Sequence, residues 1–323
     1  MTNTEGSVLE RARPLDSGRE AFLASVLDGL AAPRKTLEAK YFYDARGSRL
    51  FDLITELDEY YLTNAETALL QTRAGEIAER VGAGATLVEF GSGSSVKTRI
   101  LLQAMKDLRA YVPIDISGAH LDAAAKQLAA DCGLPVIPLH ADYTRAFALP
   151  REVPRGKLVG FFPGSTIGNF EPPAASAFLE QARELLGAGA RFLVGADLQK
   201  DRARLEAAYN DSRGVTADFN LNLLVRINRE LGGDFDLGAF RHKAFYNAEE
   251  GRIEMHLEST KPQSVELAGR RFDFAAGETI HTENSYKYSL ESFAALARDG
   301  GWHREAVWQD PEGLFSAHLL TAE

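Results

Sequence analysis

Residues 86–90 form an apolar run with one acid, Glu89. The run leads into Gly91-Ser92-Gly93 and then into a helix-like segment from Val96 to Lys106. A buried strand feeding a glycine turn and a helix is a nucleotide-cofactor cradle. The glycines let backbone approach a ligand closely, and the first N–H groups of the helix are free donors. The dinucleotide fingerprint needs a third glycine where this chain has Val96. A shorter Gly-x-Gly with an acid two residues before it suits S-adenosylmethionine (SAM) better than NAD. An ordinary tight turn has the same letters.

Other residues extend the pattern. Asp115 ends the apolar run Tyr111-Val112-Pro113-Ile114, 24 residues after Gly91. A doubly wound fold places there the acid that takes ribose hydroxyls; the alternative is an acid at a helix N-terminus. Asp142 and Tyr143 follow the third strand-like run, where an adenine edge is usually met. The fourth run enters Pro163-Gly164-Ser165-Thr166-Ile167-Gly168-Asn169. Its backbone N–H groups and Asn169 could hold a small polar ligand, or the segment is a turn before the helix opened by Pro172-Pro173. In residues 281–286, period two puts Glu283 and Ser285 on one face. An acid and a hydroxyl projecting together can clamp a small N–H heterocycle or an amine; an exposed polar strand face reads the same. Met255 shares a face with Ile253 and Leu257, which reads as core packing.

The elements that must position these groups fall into three stretches. Before residue 85 the apolar spacing is helical, around Phe22 to Leu30 and over residues 47–57 and 65–81, the last opened by a Thr63-Asn64-Ala65-Glu66 capping box. Strand-like runs at 86–90, 109–115, 135–139, 157–162 and 190–196 then alternate with helix-like runs at 96–106, 117–130 and 172–187. Such alternation predicts a parallel sheet with right-handed crossovers. After Asp197 a long helical stretch, 201–231, precedes a strand meander at 240–246, 252–259, 264–274 and 278–288. A helix at 290–298 and a hairpin at 302–309 and 314–321 complete the chain. The meander reads as an insertion that packs with the N-terminal helices as a second domain and can close over ligands at the carboxyl ends of the parallel strands.

The 323 residues carry a net charge of −10, which disfavours nucleic-acid backbone as a partner. No apolar run is long enough to span a bilayer. Residues 1–13 carry no signal-peptide core, and Cys132 is the single cysteine, so a reducing cytoplasm is expected. The seven histidines show no metal-ligand spacing, and no metal is expected.

Several motifs together resemble the histidine N-alpha-methyltransferases of ergothioneine biosynthesis. They are Tyr43-Asp44-Ala45-Arg46-Gly47-Ser48 with Leu50-Phe51-Asp52, Glu59-Tyr60-Tyr61, Gly91-Ser92-Gly93-Ser94 with Lys97-Thr98-Arg99, the 163–169 loop, Asn228-Arg229-Glu230-Leu231, Arg252-Ile253-Glu254-Met255 and Ile280-His281-Thr282-Glu283. The resemblance spans about residues 18–321, in order. It implies an α/β fold: a Rossmann-like class I SAM methyltransferase domain, 64–199 and 287–323, with an inserted α+β substrate-binding domain made of 10–63 and 200–286. By motif match, Gly91, Ser92, Lys97, Asp115, Asp142 and Tyr143 would contact SAM. Asn169 and Tyr209 would hold the substrate's carboxylate and amine end, with Gly164 and Tyr43 nearby. Tyr60, Glu283 and Ser285 would hold an imidazole, and Met255 would wall the pocket. Tyr143 stands where phenylalanine is common in the family, and Pro163 where leucine is common.

The resemblance implies trimethylation of the α-amine of L-histidine to hercynine by a monomer, without metal, nucleic acid or membrane. The amine must be neutral to attack, and water or Tyr43 would take its proton, with Tyr43 and Asn169 as the catalytic candidates. Two other readings stay open at the level of sequence: a relative acting on another amino acid such as tryptophan, and a non-catalytic SAM-binding module. A substrate panel and a turnover assay separate them.

Overall fold

The computed structural model describes residues 16–93, 96–116 and 118–322. The polar N-terminal stretch, residues 10–15 of the expected second domain, Ser94 and Ser117 lie outside the described residues.

Seven strands form the main sheet. In chain order they are β1 (Ala85–Phe90), β2 (Ala110–Asp115), β3 (Leu139–His140), β4 (Lys157–Phe162), β5 (Arg191–Asp197), and then, after β6 to β10, β11 (Trp302–Gln309) and β12 (Phe315–Ala322). Their spatial order is β11-β12-β5-β4-β1-β2-β3. β1 to β5 run parallel, and β12 inserts antiparallel between β5 and β11. β1 is buried at every position, as a strand covered on both faces must be. Alternate residues serve opposite cores. Leu87, Tyr111 and Phe161 pack with α3 (Tyr61–Val81) and α4 (Val96–Ala104), whereas Val88, Val112 and Phe162 pack with α6 (Pro172–Leu186) and α9 (Leu290–Asp299). The strand order reverses between β1 and β4, which opens a crevice at their carboxyl ends.

The inserted strands form a three-stranded antiparallel sheet, β10 (Thr279–Tyr286), β7 (Arg252–Ser259) and β6 (Phe240–Asn247), with a separate ribbon of β8 (Gln263–Leu267) and β9 (Arg270–Phe274). One hydrophobic core joins them to α1 (Asp16–Ala31), α2 (Ala45–Thr55) and α8 (Val215–Leu231). Phe42 stacks on Phe219 at 4.4 Å, and Asp44 accepts from Asn222 at 2.8 Å and Arg229 at 2.6 Å. Residues 35–37 clip onto β10, where Leu37 N–H donates to the His281 carbonyl at 2.9 Å. Glu171, at the start of α6, ties the two sheets together. It accepts from Arg252 and Asn284 at 2.8 Å and from Tyr286 at 2.6 Å.

Four expectations need correction. The run 135–139 yields a two-residue strand, because Pro135 and Pro138 lack the N–H groups a ladder needs. The stretch 201–231 is two helices, α7 (Arg202–Ala207) and α8, separated by a turn ending in Gly214 at φ 72°. The stretch 264–274 is a hairpin, since Ala268 and Gly269 both take positive φ and reverse the chain. Finally, α3 starts at Tyr61, so Thr63 to Glu66 lie inside its first turns and do not cap it. Among the described residues no helix is long and apolar enough to cross a membrane.

Candidate functional site

A cleft of about 670 Å³ opens at the carboxyl ends of β1, β2 and β4 and continues into a recess of about 50 Å³ under the inserted sheet. Tyr43, Tyr60, Gly164, Asn169 and Glu283 line both.

On the cleft side, Gly91 takes φ +75°, a conformation side chains rarely adopt, and a Cβ there would come within 3.5 Å of the Tyr143 ring. Ser92 is buried and lies 3.1 Å from the Tyr111 hydroxyl. Asp115 ends β2 at the cleft edge, and Asp142 is turned into a loop by accepting from Thr144 N–H at 3.0 Å. The Tyr143 ring meets Phe90, Phe162 and Phe178 edge-on. Glu89 faces inward. It accepts from Thr98 at 2.9 Å and from Tyr111, and burial, the largest effect, pushes its carboxyl up to about 7 against those bonds. Lys97 forms an ion pair with Glu66, which is 1% exposed and also accepts from Gly164 N–H at 2.8 Å. Sequence reading missed Glu66 in this role. A lone acid in a helix pattern carries no mark of the lysine, 31 positions later, that will meet it.

The loop after β4 is held from three sides. Glu66 takes the Gly164 amide. Ser165, at φ 56°, accepts from the Asp197 N–H at 2.8 Å. Gly168 packs so close to β10 that a Cβ would sit 2.7 Å from the Tyr286 carbonyl. Asn169 ends the resulting short 3-10 turn (Thr166–Asn169) at the junction of cleft and recess.

In the recess, β10 carries a bulge between His281 and Glu283. After it, Glu283 pairs with Met255 and Ser285 with Ile253. Glu283 and Ser285 therefore share a face with Met255, which is 2% exposed. Burial pushes the Glu283 carboxyl up to about 7, with the Lys287 charge opposing the rise. Tyr60 packs edge-on against Phe51 and Tyr209, and Tyr43 against Phe51 and Phe219. Burial raises the Tyr43, Tyr60 and Tyr209 phenols well above their ordinary range, with the Glu283 charge contributing. The Tyr209 hydroxyl donates to Ser285 at 2.7 Å, which links Tyr209 to the Glu283 end of the recess.

Glu254, His256 and His281 also lie close enough to suggest a cation site. Their geometry opposes it. The two imidazoles stack 4.7 Å apart and nearly parallel, so their lone pairs lie in separate planes, and Glu254 is occupied by Arg252, Asn247 and His256.

The donor set fits a nucleoside cofactor: a left-handed glycine for close backbone approach, an acid at the end of β2 for ribose, and an aromatic ring beside the glycine. Sheet order and cradle together define a class I SAM-dependent methyltransferase. Residues 22–322 match the family described as histidine-specific, SAM-dependent methyltransferases. The chain is 44% identical over 310 residues to histidine N-alpha-methyltransferase of Mycolicibacterium smegmatis, covering 94% of this chain and 96% of that one. It is 42% identical over 311 residues to the enzyme of the same name from Mycobacterium tuberculosis, with the same coverage. An L-tryptophan methyltransferase of Psilocybe serbica is 27% identical over 340 residues, covering 93% and 92%. The chain belongs to the SAM-dependent histidine-specific methyltransferase family.

Proposed function

We propose that this chain methylates the α-amine of L-histidine three times to give hercynine, the first step of ergothioneine biosynthesis. The observation that carries the reading is the recess. It holds an acid, a hydroxyl and a thioether on one face of two paired strands, joined through Asn169 to the glycine cradle. Glu283 and Ser285 hold the imidazole, with Met255 and Tyr60 as walls. Asn169, with Tyr43 and the Gly164 loop, holds the amino-acid end, where Tyr209, its proton given to Ser285, serves the amine as an acceptor.

SAM supplies a sulfonium-activated methyl group, and Gly91, Ser92, Lys97, Asp115, Asp142 and Tyr143 would hold it. The chain's own residues then have mainly to align: a neutral amine lone pair must point along the breaking bond, and fixed orientation is a large part of such a rate. Tyr43 stays a neutral phenol at neutral pH, because burial raises it. It therefore acts as a hydrogen-bond partner orienting the amine, and each amine proton leaves to water at the cleft mouth. The division into a cofactor half (64–199, 287–323) and a substrate half (10–63, 200–286) belongs to this reading. A monomer is the working unit of this reading, and the single cysteine supports a cytoplasmic setting.

The test is mass spectrometry of the purified protein incubated with SAM and the twenty amino acids. Trimethylated histidine as the main product is expected. A main product from tryptophan or another amino acid removes the histidine assignment, and no product from any of them removes the enzyme reading.

A further inference from the structure

Behind Ser285 lies a cation that the proposed reaction does not use. Lys287 follows β10 directly, with its side chain fully buried. Its ammonium has three N–H donors, and three oxygens surround it: Asp197 at 2.8 Å, Ser285 Oγ at 2.8 Å and the Tyr209 hydroxyl at 3.2 Å. Asp197 is itself shared, accepting from Tyr61 at 2.7 Å and from Lys200 at 2.5 Å.

Counting protons fixes the polarity of the wall. Ser285 Oγ has two lone pairs, and it accepts from both Lys287 and Tyr209. Tyr209 gives its one proton to Ser285 and takes one from Lys287. What Ser285 retains is its own proton, and the remaining side of the residue is the recess it lines. On the same strand face Glu283 offers the recess a carboxylate, an acceptor once ionised.

We propose that Lys287 is a specificity-determining positioning residue. By taking one acceptor site on Ser285 and holding Tyr209 so that its proton takes the other, it makes Ser285 a donor only, so the recess selects a side chain that brings a bare acceptor to Ser285 as well as an N–H to Glu283. A neutral imidazole carries both on one ring. An indole carries the N–H alone, and a phenyl ring neither. Removing Lys287 frees a lone pair on Ser285 and lets the Ser285 proton turn to Tyr209, so the demand for a substrate acceptor ends. This inference rests on histidine being the substrate.

The experiment compares histidine with the two pyrrolylalanine isomers, each of which keeps one ring N–H and replaces the bare nitrogen by C–H. A buried donor left unpaired lowers kcat/KM by roughly tenfold or more, so the wild-type enzyme should prefer histidine over both isomers by that factor. In Lys287→Met the preference should fall to within about twofold of unity, with SAM affinity unchanged, because a Ser285 proton turned to Tyr209 is no longer left unpaired. A folded Lys287→Met protein that keeps the wild-type preference overturns the proposal. A wild-type enzyme that treats histidine and the pyrroles alike overturns donor-only Ser285 while leaving histidine as substrate. Failure to methylate histidine at all removes the reading beneath it, which keeps the two failures distinct. If Lys287→Met does not fold, the double variant Asp197→Asn, Lys287→Met removes both members of the buried pair and is read by the same ratio.

Discussion

Glu89 and Glu283 are carboxylates enclosed near the carboxyl ends of strands, one in each half of the molecule. Burial pushes both up to about 7. Their partners differ. Glu89 is already engaged, taking hydroxyl donors from Thr98 on α4 and Tyr111 on β2. The Glu283 carboxylate takes no hydrogen bond from the described residues; the charge of Lys287 is what opposes its burial. A raised carboxyl is therefore not by itself a mark of a binding group. The informative difference is whether the protein has already supplied donors. On the proposed reading Glu66 and Glu89 brace the backbone beside the glycine cradle, and the Glu283 carboxylate on the inserted sheet is left for the ligand.

Glu66 gives the largest test. Like Glu89 it is already engaged, by Lys97 and by the Gly164 amide. Glu66→Ala leaves Lys97 and the Gly164 amide without their acceptor and frees the loop that carries Asn169. Removing one partner of a buried pair is expected to lower the free energy of unfolding by about 3 kcal/mol, read from urea denaturation at neutral pH. A loss under about 1 kcal/mol means that the acids of this half do not brace it, and the comparison breaks.

Glu283→Ala should do the reverse. Stability is not expected to fall, because the Glu283 carboxylate has no hydrogen bond from the described residues to lose. Histidine kcat/KM should fall by roughly 10–150-fold, the loss of one hydrogen bond to a charged group, while SAM affinity holds. The ratio of histidine to tryptophan kcat/KM is the sharper readout and should fall, since discrimination against an apolar ring rests on a desolvated carboxylate. An unchanged ratio sinks the imidazole clamp.

These two acids also measure how far sequence could reach. Glu89 and Glu283 were legible as positions: one stands two residues before a glycine turn, the other alternates with Ser285 on a strand. The parallel order of β1 to β5 was legible from the strand–helix rhythm, because continuous apolar runs fit strands covered on both faces. Which acid is already engaged was not legible, since Tyr111 reaches Glu89 only through β1–β2 pairing and Lys97 reaches Glu66 only through packing of α3 on α4. Lys287 had a signal that was not used. It continues the period-two face of Glu283 and Ser285 by one step, and a lysine on a buried face requires a counter-ion. The bulge at Thr282 had none, yet it sets which side of β10 Glu283 occupies.

Titration separates the acids without substrate. With a folded-state value near 7 against an ordinary 4.5, Glu283 holds a proton in the folded chain that the unfolded chain has released. Its contribution to stability therefore falls as pH rises from about 4.5 to 7 and stays low above. Glu283→Gln removes the ionisation and should unfold like wild type near pH 4 but be more stable at pH 8, by about 1–2 kcal/mol after allowing for water reaching the cleft. Glu89→Gln has the same sign of pH dependence, but its amide presents N–H groups to Thr98 and Tyr111. Lost bonds should offset the gain, leaving no stabilisation at pH 8. Equal stabilisation by both variants would mean that prior engagement does not distinguish them.

The smallest effect concerns Tyr143, whose hydroxyl beside the glycine cradle has no hydrogen-bond partner among the described residues. Its ring is fixed by Phe90 at 6.4 Å, Phe162 at 5.7 Å and Phe178 at 5.9 Å, all edge-on, and it stands beside Gly91. Its hydroxyl takes no hydrogen bond from the described residues, and burial raises the phenol further. Tyr143→Phe keeps every ring contact and removes only the hydroxyl. If the ring edge is what the adenine side of the cleft uses, SAM affinity by calorimetry and stability should both stay within about 0.5 kcal/mol of wild type. A loss of affinity above about 1 kcal/mol, with stability unchanged, would show the hydroxyl bonding the cofactor directly. Tyr143 would then be the cofactor-side counterpart of Glu283, a polar group left for a ligand, and the contrast between the two halves would narrow to their acids.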